Sequence, residues 1–142
     1  MINKLYFGNA TLTHLGLLIL RLGFGGFMAF AHGWPKLATF SQGAAGFDSM
    51  LGIGGEIEYA LLVFAEFFCA IFVAVGLFTR LSAFPLMFAM VIAAFVAHGA
   101  DPFGAKEASL TYLVAYTTIF LTGPGKYSID AAISPRGGAV YG

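Results

Sequence analysis

Residues 59–98 read YALLVFAEFFCAIFVAVGLFTRLSAFPLMFAMVIAAFVAH, and the only formal charges among them are Glu66 and Arg80. A helix needs roughly 20 apolar residues to cross the hydrocarbon of a bilayer, so this stretch is long enough to cross twice. Thr79, Arg80, Leu81 and Ser82 fall at its centre and read as a tight turn. Helices over 59–79 and 81–98 are therefore expected to form an antiparallel hairpin. Pro85 then falls in the first turn of the second member, where a missing N–H costs little. Two more apolar runs flank the hairpin. Residues 12–33 carry Arg21 as their only formal charge, and residues 107–122 are uncharged after Glu107. Trp34 and Pro35 mark the exit of the first run, and Gly123, Pro124 and Gly125 stop the last. The runs are continuous rather than alternating, which argues against a β-barrel.

The expected fold is an all-α membrane protein, a single four-transmembrane-helix bundle over residues 1–142. An outer loop over 34–58 is expected to hold a short interfacial helix near 47–51. A tail occupies 123–142.

Composition agrees. Hydrophobic residues make up 59% of the 142 and charged residues 10%, against roughly 45–50% and 25% in soluble domains. So few charges cannot cover a soluble fold of this size. A net charge of zero leaves no basic patch for nucleic acid. Cys69 is the only cysteine, so neither an internal disulfide nor a dithiol relay is available.

Lysine and arginine set the orientation. Lys4, Arg80, Lys126 and Arg136 fall on the side of the termini; Lys36 and Lys106 fall on the other. Both termini are therefore expected in the cytoplasm. Ala29-Phe30-Ala31 after an apolar run imitates a signal-peptide cleavage site, but Arg21 inside the run argues that it stays uncleaved.

A charge in the bilayer core costs at least roughly 2.5–3.5 kcal/mol and needs a partner or a task. Counted from the expected helix ends, Arg21 and Glu66 each lie roughly 12–14 Å deep. The simplest expectation is an interhelical ion pair at the midplane, with Tyr116 reaching Glu66 and Tyr112 one turn away on the same face. His32 and His98 are expected at the outer mouth of a narrow cavity. Gly25, Ala29 and Gly33 form a small-residue stripe that lets a helix or a flat ligand come close. No third ligand accompanies the two histidines at metal-binding spacing, so no metal is expected.

The ordered pieces Leu20-Arg21-Leu22, His32-Gly33-Trp34-Pro35-Lys36-Leu37, Glu66 with Gly76-Leu77-Phe78-Thr79-Arg80-Leu81, His98-Gly99 and Gly123-Pro124-Gly125-Lys126-Tyr127-Ser128-Ile129-Asp130 resemble the DoxX family of small bacterial membrane proteins. The resemblance implies four helices in the bacterial cytoplasmic (inner) membrane. It also implies a link to redox chemistry, through the related DoxD subunit of thiosulfate:quinone oxidoreductases. Arg21, His32, Lys36, Glu66, Arg80, His98, Ser128 and Asp130 are the family-like polar residues. Lys36, Arg80, Ser128 and Asp130 are expected to be structural, with Asp130 pairing Arg80 to clamp the tail beneath the bundle.

Three functions fit. The first is an oxidoreductase subunit that binds a quinone in a pocket built around Arg21 and Glu66, with His32, His98, Tyr112 and Tyr116 as further ligand-binding candidates and a redox partner subunit supplying electrons. The second is a scaffold or assembly factor in which Arg21–Glu66 is a structural pair. The third is a small-anion or weak-acid carrier, which would need a homo-oligomer.

Overall fold

A computed structural model describes residues 8–134; Lys4 and Arg136, used in the charge count, lie outside the described residues. Six helices are seen among the described residues: α1 (Ala10–Ala38), α2 (Phe40–Ala45), α3 (Gly55–Val75), α4 (Thr79–Ala97), α5 (Phe103–Thr122) and α6 (Ile129–Ile133). No strand occurs among those residues. Helices α1, α3 and α4, of 29, 21 and 19 residues, are long and apolar enough to cross a membrane.

Four spans are expected from the sequence. The fourth helix, α5, is 20 residues long but less apolar than the other three. It starts at Phe103 rather than 107 and carries Lys106, Glu107 and a series of threonines. Thr111, Thr117, Thr118 and Thr122 each donate a hydroxyl hydrogen bond to the carbonyl four residues back, at 2.7–2.8 Å. These back-bonds satisfy the hydroxyls inside the helix.

Glycine sets the packing of α1 on α3. A Cβ on Gly25 would lie 2.7 Å from the Ala70 carbonyl oxygen, and one on Gly33 would lie 2.5 Å from that of Glu66. The small-residue stripe is thus filled by a neighbouring helix. Met28, Cys69, Leu86, Tyr116 and Ile119 close the core that α1, α3, α4 and α5 share.

Three helices contain a π-helical turn: Met28–Gly33 in α1, Phe64–Cys69 in α3 and Ala93–Ala97 in α4. In α1, Trp34 N–H bonds to the Ala29 carbonyl five residues back. A widened turn absorbs a residue that lacks a donor. The chain therefore stays helical through Pro35 to Ala38, instead of ending at 33 as the sequence suggests.

The hairpin turn also moves. Gly76 adopts φ 72° and Phe78 φ 46°, a left-handed pair that ends α3 at Val75. Thr79 to Ser82 then form the first turn of α4, and Pro85 lies inside that helix. The short helix expected near 47–51 is found earlier, as α2. Residues 46–54 instead form an irregular turn, with Gly52 and Gly54 at positive φ.

Candidate functional site

Helices α3 and α4 splay into a groove of about 480 Å³, within the size range of small-molecule sites. Buried Ala65 and Ala89 form its floor, and Leu61, Phe64, Phe84 and Phe88 line its exposed sides. Phe47, Met50 and Leu51, from the 46–54 turn, wall its outer end.

Three charged side chains reach this apolar surface: Lys36, Glu58 and Glu66. The Lys36 ammonium donates to Glu66 Oε2 in an ion pair, with the two side chains 30% and 7% exposed. The pair follows from the helix contact. Gly33 allows the α1 backbone to touch the Glu66 carbonyl, and Lys36, three residues on, lies on the same face. The Tyr59 hydroxyl donates to the Lys36 carbonyl at 3.3 Å and fixes the end of α1. Among the described residues, Glu66 Oε1 has no protein donor, and two of the three lysine protons remain free to donate. The π turn of α3 holds Glu66, a setting common at functional sites.

Arg21 is elsewhere. It is fully buried and donates from Nη1 to the carbonyls of Ala74, at 3.0 Å, and Val73, at 3.4 Å, and from Nη2 to that of Tyr127. It caps the C-terminus of α3 and ties down the chain after α5. The expected Arg21–Glu66 pair is therefore corrected. Glu66 lies seven and eight residues before those carbonyls, about 11 Å along the helix. The terminal nitrogens of Arg21 are directed at these carbonyls, while its buried Nε has no hydrogen-bond partner among the described residues.

The other predicted residues divide between two places. The Tyr116 hydroxyl donates to the Phe24 carbonyl at 3.1 Å, not to Glu66. Tyr112 stacks on Tyr116 and meets the rings of His32 and Phe24 edge-on, at centroid distances of 6.0, 5.7 and 5.5 Å. This aromatic column joins α1 to α5 and does not line the groove. His98 Nδ1 meets Asp101 Oδ2 at 2.7 Å on the exposed α4–α5 turn, so the two histidines share no cluster. Among the described residues, no group of three or more His, Cys, Asp or Glu side chains could hold a metal ion.

Asp130 does not pair with Arg80. Its carboxylate accepts from Phe78 N, Thr79 N and Thr79 Oγ1 at 2.8–2.9 Å, which caps α4 from outside the helix. Arg80 instead donates to the Leu121 carbonyl at 3.3 Å. Ser128 Oγ caps α6 by accepting from Ala131 N at 3.1 Å.

Sequence reasoning missed two groups. Lys36, read as a loop residue beyond Pro35, belongs to the groove. Glu58, at the end of the loop expected over 34–58, is buried and accepts from the 49–53 turn. The signal for Glu58 was a glycine-rich turn whose backbone donors needed an acceptor.

An all-helical, apolar bundle with an ion pair beside a groove of exposed hydrophobic residues defines an integral membrane protein. A family model described as DoxX matches residues 16–99, more than half of the chain, and the chain belongs to the DoxX family. Neither a curated protein nor a solved structure matches it.

Proposed function

We propose that the groove between α3 and α4 binds a quinone or a similar small apolar ligand, and that the protein serves as a membrane subunit or accessory of a redox system. The carrying observation is a partly unsatisfied ion pair at the polar end of an otherwise apolar groove. A quinone ring needs an apolar slot and hydrogen-bond partners for its two oxygens. Lys36 would donate to one ring oxygen. Glu66, once protonated, would give its proton to the other ring oxygen as the ring is reduced, and Oε1 would then accept a hydrogen bond from the hydroxyl so formed. When bound, the quinone supplies the two-electron chemistry; the electrons come from a partner subunit. The proposal extends to topology: α5 completes a four-span bundle in the bacterial inner membrane, with both termini cytoplasmic. The back-bonded threonines and the side bias of lysine and arginine support it.

Titration of the purified protein in lipid nanodiscs with decylubiquinone and menaquinone analogues tests the binding. Saturable binding is expected, with Lys36→Ala weakening it about tenfold, as for loss of one charge-assisted hydrogen bond, and Glu66→Gln weakening binding of the reduced quinols by a similar factor. Absence of saturable binding to the unmodified protein across the series overturns the reading.

A further inference from the structure

Glu58 is a buried carboxylate on the first turn of α3. Its Oε1 accepts from Ser49 Oγ at 2.6 Å, Leu51 N at 3.0 Å and Ile53 N at 3.3 Å, and its Oε2 accepts from Met50 N at 2.6 Å. Ser49 Oγ in turn accepts from Gly52 N and Gly54 N at 3.1 and 3.3 Å. Gly52 and Gly54 supply the left-handed backbone that closes this cage. A single carboxylate thus organises most of the backbone donors of one turn.

The turn has a specific placement. Met50 and Leu51, on the residues whose amides Glu58 holds, line the groove at its outer end. Phe47 lines it beside them and packs against Tyr59, with ring centroids 5.4 Å apart. The sides of the groove are different. They are framed by Leu61, Phe64, Phe84 and Phe88, all exposed on the helix surfaces. In a membrane protein such apolar surface faces lipid.

We infer that Glu58 is a positioning residue: by pinning the 49–53 turn across the outer end of the groove it closes the aqueous route, so that ligands reach Lys36 and Glu66 sideways from the bilayer. The ligand class is then a molecule dissolved in the membrane, with a hydrogen-bonding head and an apolar body, and not an aqueous solute. This rests on the reading of the groove as a ligand site. The access geometry is measurable without any ligand.

The test uses the full chain in nanodiscs, with Cys69→Ala as background. Ala89→Cys places a thiol on the groove floor, and Gln42→Cys places a water-facing control on α2. Each is treated with an uncharged, lipid-soluble maleimide and with a permanently charged, water-soluble one. The expected result is that Ala89→Cys reacts at least about tenfold faster with the lipid-soluble reagent, relative to the control. Adding Glu58→Gln, or Ser49→Ala should the first variant fold poorly, is expected to raise the charged reagent's rate at position 89 by about tenfold, since a charge-assisted hydrogen-bond set has been weakened. The control should not change. Equal reaction of the unmodified groove with both reagents overturns the inference. So does a charged-reagent rate that neither Glu58→Gln nor Ser49→Ala alters. Expected labelling in a protein that binds no decylubiquinone supports the side access and overturns only the quinone reading.

Discussion

Arg21 is fully buried and sends its guanidinium to the carbonyls of Val73, Ala74 and Tyr127. Its position inside an apolar run does signal a buried, committed charge. Depth counting placed its Cα opposite Glu66. A long guanidinium side chain, however, delivers its charge well away from its Cα, and here it reaches the open carbonyls where Gly76 ends α3. Gly76 itself is confined: a Cβ there would lie 2.5 Å from Arg21 Nη1 and 2.5 Å from Ser128 Cβ, at φ 72°. Truncating Arg21 leaves the carbonyls of Val73, Ala74 and Tyr127 without this donor. Arg21→Ala is therefore expected to destabilise the fold by about 2–6 kcal/mol, at about 1–3 kcal/mol for each of the Ala74 and Tyr127 carbonyls, since the Val73 carbonyl keeps the Gly76 N–H at 3.1 Å. Reversible unfolding in mixed micelles measures it. The same variant, kept below its unfolding transition, should bind decylubiquinone with unchanged affinity, because Arg21 does not line the groove. A folded Arg21→Ala protein with impaired binding would return the arginine to the site.

At the level of elements, helix existence was legible and helix ends were not. The four apolar runs all became helices, because continuous hydrophobicity over roughly 20 residues admits little else. The ends shifted where local backbone chemistry intervened. A π turn carried α1 past Pro35, which put Lys36 on a helix face instead of in a loop; that one shift hid the ion pair of the groove. The small-residue stripe, by contrast, was legible, since Gly25 and Gly33 do bring two helices together. Gly33→Ala is expected to destabilise by about 1–3 kcal/mol through overpacking, as its Cβ would meet the backbone of Glu66 and Phe67 within 2.7 Å. It should also weaken quinone binding by displacing Lys36 from Glu66. Gly23 and Gly26 make the contrast: a Cβ at either meets nothing within 4 Å. Gly23→Ala and Gly26→Ala should each stabilise α1 by about 0.4–1 kcal/mol, by restricting the unfolded chain. Thermal melts of the three variants in one detergent check the ordering. A destabilised Gly26→Ala alongside a neutral Gly33→Ala would mean that α1 turns the other face to α3.

Across the whole molecule, Arg21, Asp130, Lys36, Glu58 and Glu66 belong to two networks at different levels of the bundle. At one level Arg21 caps α3 and holds Tyr127, while Asp130 caps α4 and donates its own N–H to the Gly76 carbonyl at 2.8 Å. This clamp joins α1, the α3–α4 turn and the segment after α5. At the other level Lys36 and Glu66 close the groove, with Glu58 setting its wall. The two levels are separated by the seven or eight residues of α3 between Glu66 and the carbonyls that Arg21 holds, about 11 Å. Sites that far apart without a shared partner add within about 0.3–0.5 kcal/mol, whereas members of one network couple by about 0.5–3 kcal/mol. Double-mutant cycles on unfolding free energy can therefore separate them. Arg21→Ala with Asp130→Ala should be strongly non-additive, because each loss frees the Tyr127–Asp130 segment that the other still holds. Lys36→Ala with Glu66→Gln should likewise couple, since removing one charge strands the other beside apolar groove walls. Arg21→Ala with Glu66→Gln should be additive. Substantial coupling in that last cycle would restore the midplane pair expected from depth counting and would make the stability clamp and the ligand site one device.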